Sequence, residues 1–512
     1  MDIATVFALV LLGIYFLYTG WSHRRSFDQS QAHVAAGHSG FAKKTIKYFT
    51  LLTSIFVVIG AGEYDLLFVL IDEYGVAGLC FLLGLSIAAI SILLIVTKKT
   101  RDLTYASGRW PIRADNFLNF TTPDYLFVRF SRRCALVGTI ITVLAFLGIL
   151  EGQFVIGGAL ISAVSGLPYE VAIALMAFVV AGYCIIGGFS AMFFTDQHQG
   201  VLMWISLIIV MIFIFLTHGV ALDSFQTVVT LSASSFSWDY PIVLIIFVLT
   251  VAAAFSGPDL WQRIHMAESD SDVQTGLIVA AVAFLIFGTI IVFIYLNISS
   301  VKVLAPELFS EGQGVLRPYI NIVTGHVDKE SLLPYVWPKW VQIVFAVGLL
   351  SAFVSTADTC AMLIASTIQN ESRRNALSIF EASIFLPLHS TDQAKEPNLI
   401  DIPHNTRAVI VAFSIGTTAI ASIYLQDVAA IFIGVLGALA VMGLPVFWSF
   451  DPKISEPATF WALVVGFLIF FGQFTFTTAG LIDGRYNDGY YLLLPLVPGF
   501  ILGVQKLSVR WR

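Results

Sequence analysis

Long apolar runs separated by short polar stretches extend through the whole chain. Thirteen of these runs are roughly 20 residues long, the length that a helix needs to cross the hydrocarbon core of a bilayer. A membrane barrel would instead show alternating segments of about ten residues. The pattern therefore predicts an all-α integral membrane protein with about 13 transmembrane helices. They lie near residues 3–21, 46–71, 76–97, 134–160, 168–190, 198–217, 240–257, 275–297, 337–366, 406–424, 427–449, 458–476 and 488–505.

The composition agrees with this class. Of the 512 residues, 58% are hydrophobic and 12% are charged, whereas soluble globular chains are about 45–50% apolar. We therefore expect the lipid bilayer as a partner and no nucleic acid. All four cysteines lie in or at the ends of apolar segments, which predicts no structural disulfide. The first apolar run has no basic region before it, so we expect a retained helix rather than a removed signal peptide.

The distribution of basic residues predicts the orientation. With the N-terminus outside, 22 of the 27 Lys and Arg residues fall in inner loops and the C-terminal tail. Because basic residues are enriched in cytoplasmic loops, we expect an external N-terminus and a cytoplasmic C-terminus. The expected location is the plasma membrane, which is the inner membrane if the source is bacterial. The five external basic residues would be Lys302, Arg317, Lys329, Lys339 and Arg485.

Several carboxylates lie within or at the inner ends of the apolar runs, and the linear pattern places no Lys or Arg at the same depth. Burying an unpaired carboxylate costs several kcal/mol, so such groups are protonated, paired or bound to a cation. A bound cation is the favoured interpretation, and acids that face water at loose helix ends are the alternative. These carboxylates are Glu63, Asp65, Glu151, Asp196, Asp259 and Asp358.

Two of the predicted helices contain glycine-rich interruptions. Gly60-Ala61-Gly62 lies in one helix, and Ser256-Gly257-Pro258 ends another. Each is the first helix of a group of five, and a five-helix group reverses direction across the membrane. The second group is then an inverted repeat of the first, with the binding site at the interrupted helices. The predicted divisions are 1–45 (leading helix and inner loop), 46–217 and 240–450 (five-helix repeats), and 451–512 (two accessory helices and a short cytoplasmic tail).

The stretch SAFVSTADTC at residues 351–360 places polar side chains in an apolar run. At about 100° per residue, Ser351, Ser355, Asp358 and Thr359 share one face of a helix. Hydroxyl oxygens and backbone carbonyls freed at a helix break suit a small cation. Alternatively, the Ser and Thr hydroxyls bond back to the preceding helical turn.

Four short motifs in this order resemble the sodium/solute symporter family, most of all its sodium/proline symporter branch. They are TTPDY at 121–125, GGFSAMFFTDQ at 187–197, SGPDLWQRIHMAE at 256–268 and LLSAFVSTADT at 349–359. The similarity extends over roughly residues 40–450. It implies a five-plus-five inverted-repeat (LeuT-like) core with discontinuous first and sixth core helices. It also implies a sodium ion as the coupling ion.

The resemblance implies particular ligands. On the eighth core helix, the sodium ligands would be the hydroxyls of Ser355 and Thr356 and the carbonyl of Ala352. On the first core helix, where the family pattern matches GAGEYDL at 60–66, they would be the carbonyls of Glu63 and Leu66 and the side chain of Asp65. A second cation site or an ion exit path would involve Asp196, Asp358 and Thr359.

Departures from the proline-branch pattern indicate a different solute. Glu63 replaces a small residue, and Leu150 and Thr250 lie near the places of a tyrosine and a tryptophan. The extra acids favour a solute that bears an amine or a cation, or a proton as the coupling ion. The candidate solute contacts, for which helix packing is the alternative role, are Gly60, Gly62, Glu63, Glu151, Gln153, Phe255 and Ser256.

The predicted function is sodium-coupled symport of a small organic solute into the cell by alternating access. The alternatives are a proton-coupled symporter of the same fold and a transporter-like membrane sensor. No catalytic motif such as H-E-x-x-H or a nucleophile elbow occurs, so we do not expect an enzyme.

Overall fold

The computed structural model describes residues 7–22, 61–97, 120–218, 242–266, 270–298, 316–324, 335–385, 404–424, 428–478 and 495–510. Within these ranges the chain is helical and forms no strand. The helices are α1 (Phe7–Ser22), α2 (Ala61–Tyr74), α3 (Cys80–Ile92), α4 (Thr122–Arg129), α5 (Arg132–Ser165), α6 (Tyr169–Gly188), α7 (Phe194–Thr217), α8 (Ile242–Ser256), α9 (Pro258–Met266), α10 (Asp270–Ile298), α11 (Leu316–Val323), α12 (Lys339–Phe385), α13 (His404–Tyr424), α14 (Val428–Ser449), α15 (Glu456–Thr478) and α16 (Val497–Arg510).

Most of the long helices are apolar enough to cross a membrane. The described ranges contain nine such spans, and the bent pair α8 and α9 gives a tenth. Phe178, Leu216 and Phe413 are each more than two-thirds exposed, as expected of helix faces in contact with lipid. The predicted spans 3–21, 46–71 and 488–505 correspond to the shorter helices α1, α2 and α16. The protein is thus a multi-pass membrane protein, as the apolar pattern predicts.

The central helix of the bundle is α12, which packs against α5, α6 and α7. Helix α8 packs against α3 on one side and α14 on the other. A Cβ atom on Gly443 would lie 1.7 Å from the carbonyl oxygen of Ala252, so the backbones of α14 and α8 are in direct contact there.

The sixth core helix is broken at Gly257, where α8 ends and α9 begins with a bend of 47°. Pro258 is the first residue of α9, a position where its missing N–H costs no intrahelical hydrogen bond. The predicted interruption at Ser256-Gly257-Pro258 is therefore confirmed. Helix α2 begins at Ala61, and Gly60, at the other predicted interruption, lies outside the described residues. The division into two five-helix repeats stays a prediction.

Helices α6 and α7 are joined at Gly188, which has φ 58° and ψ −151°. Residues other than glycine rarely adopt this backbone conformation. One residue therefore makes the turn between two membrane spans.

Candidate functional site

The predicted sodium ligands of the eighth core helix lie in the buried middle of α12. Ser355 Oγ donates a hydrogen bond to Asp196 Oδ1 on α7. Thr356 Oγ1 donates to the carbonyl oxygen of Ala352 at 3.1 Å. A hydroxyl has one donor hydrogen and two acceptor lone pairs, so both oxygens keep lone pairs that could face a cation.

The predicted ligands of the first core helix lie on α2, which contacts α12. Leu66 is fully buried. Gly60 lies outside the described residues, and so do the surroundings of Gly62 and the side chains of Glu63 and Asp65. The roles of these residues in sodium or solute binding stay predictions.

The carboxylates of the inner half have a basic partner that the linear pattern did not place there. The Arg263 guanidinium on α9 is almost fully buried. Its Nη1 lies 3.2 Å from Asp259 Oδ2, and its Nη2 lies 3.8 Å from Asp196 Oδ2. The expectation that no base is present at this depth is therefore wrong. The sixth core helix breaks at Gly257, and the 47° bend turns α9 away from the direction of α8. A prediction from apolar runs alone ends the span at this break and therefore assigns Arg263 to a loop.

The residues of the predicted second cation site are close together around this arginine. Arg263 Nη2 donates to Thr359 Oγ1 at 3.4 Å, so the guanidinium already supplies one positive charge beside Asp196 and Thr359. Asp358 accepts a hydrogen bond from Tyr183 OH at 2.5 Å. Its Oδ1 has no hydrogen-bond partner among the described residues. A second cation at Asp196, Asp358 and Thr359 stays a prediction.

A cavity borders Thr356 of the hydroxyl pair, and its empty space is about 830 Å³ when the part open to solvent is included. Helices α3, α5, α8, α9, α12 and α14 form its walls. The wall is mainly apolar and carries a few polar groups. These polar groups belong to Thr250, Asp259, Arg263, Thr356 and Thr359.

The candidate solute contacts whose side chains the structure describes are Glu151, Gln153, Phe255 and Ser256, and they do not line this cavity. Phe255 packs on Phe447 with ring centroids 5.5 Å apart. Ser256 Oγ bonds to the carbonyl oxygens of Ala253 and Leu439. Both contacts are those of helix packing, which was the alternative role.

The other two candidates lie on α5. Gln153 is buried and donates to the carbonyl of Ile149 at 3.3 Å. Glu151 is half-buried, and its Oε1 has no hydrogen-bond partner in the described part of the chain. Their roles in solute binding also stay predictions.

Sequence reasoning missed the aromatic walls of the cavity. Phe81, Phe146 and Phe432 project into it from three different helices. In the sequence they are ordinary apolar residues of apolar runs, so no local signal distinguishes them from side chains that face lipid.

The comparison with protein-family models decides the family. The model of the sodium:solute symporter family matches residues 68–372. The chain belongs to this family. Members of the sodium:solute symporter family are membrane transporters and not enzymes, in agreement with the prediction from the motifs.

Curated relatives match this symporter-family chain over short stretches. The sodium/pantothenate symporter of Escherichia coli (strain K12) is 29% identical over 124 residues, which cover 24% of this chain and 26% of the relative. The osmoregulated proline transporter OpuE of Bacillus subtilis (strain 168) is 34% identical over 152 residues, 29% of each chain. The chain thus matches less than a third of the length of either relative.

Solved structures show the fold of this symporter-family protein. A Na⁺-coupled sialic acid symporter in a substrate-bound, outward-open state has a TM-score of 0.70 at 14% identity, over 100% of this chain and 98% of that chain. Mhp1, a nucleobase-cation-symport-1 family transporter in a closed conformation, has a TM-score of 0.53 at 14% identity, over 92% and 93%. The predicted LeuT-like fold is therefore confirmed.

Proposed function

We propose that this protein is a secondary active transporter that couples sodium entry to the uptake of a small organic solute by alternating access. The observation that carries this proposal is the position of Thr356. It belongs to the buried hydroxyl pair on α12 and also lines the cavity beside the broken helix. An ion held by Ser355 and Thr356 would lie next to the solute, so the two could stabilise the same conformation.

The chemistry of the pair supports sodium as the coupling ion. Broken membrane helices bind Na⁺ through carbonyl oxygens that have left the helical hydrogen-bond pattern. The carbonyls of Glu63 and Leu66 and the carboxylate of Asp65 would complete the ligand set. Sodium shifts the conformational equilibrium only through a difference in affinity between the outward-open and inward-open states. A site between α2 and α12 provides such a difference if these helices separate during transport.

The cavity supports a small solute with an apolar body and a few polar groups. The prediction of an amine or cation rests on Glu63 and Glu151. The solutes named for the two curated relatives, pantothenate and proline, are small carboxylate-bearing molecules. A solute screen should therefore begin with small carboxylic acids, with and without an amine. The basic residues support a plasma-membrane location with the N-terminus outside and the C-terminus in the cytoplasm.

The thermal stability of the purified protein in sodium, potassium and choline chloride at equal ionic strength tests the ion site without knowledge of the solute. A ligand that binds only the folded state at 100 times its dissociation constant stabilises it by about 2.7 kcal/mol. We expect sodium-specific stabilisation that is lost in Ser355→Ala/Thr356→Ala. Thr417→Ala is the matched control because Thr417 Oγ1 bonds back to its own exposed helix, and it should keep the sodium response.

The other outcomes distinguish the alternatives. Equal stability in all three salts contradicts the sodium site. Equal stability together with a marked dependence on pH would support the proton-coupled symporter. Sodium-specific stabilisation without sodium-driven uptake of any solute into proteoliposomes would support the membrane sensor.

A further inference from the structure

Helix α4 is buried although it lies in the connection between two membrane spans. Every residue from Phe120 to Val128 is buried. The helix begins with a capping box, in which Thr121 and Asp124 bond to each other's backbone N–H groups. Its polar residues therefore have protein partners, and these partners include residues of three other helices, α8, α12 and α14.

Two groups of contacts attach α4 to α12 and α14. Asp124 forms a buried ion pair with Arg374 of α12, and Arg374 Nη2 also donates to Thr139 of α5 at 2.7 Å. At the other end of α4, Arg129 Nε donates to the carbonyl oxygen of Ser449, the last residue of α14, at 2.9 Å. Hydrogen bonds to charged groups contribute about 1.5–3 kcal/mol each, so these attachments are strong.

The attachment of α4 to the broken helix contains no charge. Thr122 Oγ1 donates to the carbonyl oxygen of Ser256 at 2.8 Å. Ser256 is the last residue of α8, where carbonyl groups have no intrahelical partner. The second contact joins the rings of Tyr125 and Trp261, with centroids 4.8 Å apart. Trp261 lies on α9, the helix that supplies Asp259, Leu260 and Arg263 to the cavity wall.

We propose that α4 is a latch that closes the cavity at the end where α9 lies, and that Thr122 is its releasable contact. The charged bonds keep α4 on α12 and α14. The neutral bond to Ser256 holds the end of α8, at the break that leads into α9, against α4, and the ring contact holds α9 itself. When the break and α9 move away from α4 these two contacts break first, because they carry no charge, and the cavity opens at that end. The proposal rests on the alternating access proposed above, and the charge distribution would place this end on the cytoplasmic side.

The chain contains its own reporter for this opening. Cys360 lines the cavity and is 1% exposed, so an additional opening at the α9 end would raise the rate at which a thiol reagent reaches it. The experiment measures the rate of maleimide modification of the full-length protein in a Cys80→Ser background, because Cys80 is only half-buried. A Cys360→Ala variant gives the background from Cys134 and Cys184, both of which are buried.

We expect Thr122→Val, which keeps the shape of the side chain and removes the hydroxyl, to raise the rate at Cys360 about fivefold. A typical neutral hydrogen bond is worth about 1 kcal/mol, and 1.4 kcal/mol corresponds to a factor of ten. Thr142→Val is the matched control. Thr142 is fully buried on α5, and its hydroxyl has no hydrogen-bond partner within the described ranges. This control should leave the rate unchanged.

An unchanged rate in Thr122→Val, or an equal increase in Thr142→Val, would overturn the latch. If Cys360 is not modified in any variant, the same comparison is made with Leu260→Cys in a Cys360→Ala background, and an unchanged rate there also overturns it. The wild-type rate in sodium and in choline separates the two proposals. A rate that does not respond to sodium counts against sodium coupling, whereas the latch depends only on the difference between Thr122→Val and Thr142→Val.

Discussion

The buried ion pair between Asp124 and Arg374 should respond unequally to the loss of either partner. Both side chains are fully buried. Arg374 has a second carboxylate partner, because its Nη2 lies 3.0 Å from Glu371 Oε2. The other partners of Asp124 in the described chain are neutral groups of Thr121 and Asn370. Arg374→Gln therefore leaves a buried carboxylate without a cation, whereas Asp124→Asn leaves an arginine that still has a carboxylate.

The contacts that each substitution removes determine its expected cost in the free energy of unfolding. Breaking a buried ion pair by removal of one partner costs about 3–5 kcal/mol, and we expect this cost for Arg374→Gln. Asp124→Asn removes one hydrogen bond between charged groups, which costs about 1.5–3 kcal/mol. The double variant should cost less than the sum of the two by about 0.5–3 kcal/mol, because the partners interact directly.

The penalty for Arg374→Gln should also depend on pH. Burial raises the pKa of Asp124, and the nearby Arg374 charge opposes this effect. Without Arg374 the pKa of the folded state rises further above that of the unfolded state, so the folded state binds more protons. Its stability then increases as the pH falls, and the penalty should be smaller at pH 5 than at pH 8.

Equilibrium unfolding by SDS in mixed lipid micelles, followed by tryptophan fluorescence, measures these free energies for the wild type, both single variants and the double variant. Thr142→Val serves again as a buried control without a charge. The reasoning is refuted if Asp124→Asn destabilises the protein as much as Arg374→Gln, or if the two effects are additive.

Two further predictions concern a helix contact and a surface ion pair. Gly443→Ala should lower the free energy of unfolding by about 1–3 kcal/mol or more, the cost typical of overpacking, because the new methyl group meets the Ala252 carbonyl. The thermal midpoint and the folded yield should fall with it. Gly416→Ala, which has open space, should stabilise α13 by about 0.5–1 kcal/mol, and equal thermal midpoints for the two variants would contradict the contact. The Lys453 backbone N–H and Lys506 lower the pKa of Asp451, so the stability they provide is present at neutral pH and is lost as the pH falls through the pKa of the folded state. The difference in thermal midpoint between the wild type and Lys506→Met should therefore be smaller at pH 3 than at pH 7, and a difference that does not decrease would rule out this ion pair as its source.

The sequence predicts those parts of the fold whose signals are local. The apolar runs locate most of the spans, and the Ser-Gly-Pro triplet at 256–258 locates the break of the sixth core helix. The polar stripe of residues 351–360 predicts one helical face with Ser351, Ser355, Asp358 and Thr359, and all four are buried in α12. The predicted span 337–366 is too short, because a hydropathy run ends at the first polar residues although α12 continues to Phe385.

The sequence does not predict features that depend on contacts between distant residues. The linear pattern assigns Arg263 to a loop, whereas the bend at Gly257 brings it to Asp196, 67 positions earlier in the numbering. The motif TTPDY is visible as a family signal, but its burial depends on Arg374, 250 residues after Asp124. The residues of the cavity wall cannot be identified from the sequence either, because side chains that face lipid and side chains that face the cavity are both apolar.

The turn at Gly188 has a consequence for how this gene can vary. Every single-base change in a glycine codon that alters the residue introduces a side chain with a Cβ atom. With φ 58° and ψ −151°, any such residue adopts a backbone conformation that costs of order 1–3 kcal/mol. Natural proteins have only about 5–15 kcal/mol of stability in total. No one-step mutation that replaces Gly188 is therefore free of strain, so strain-free variation between α6 and α7 is confined to other positions.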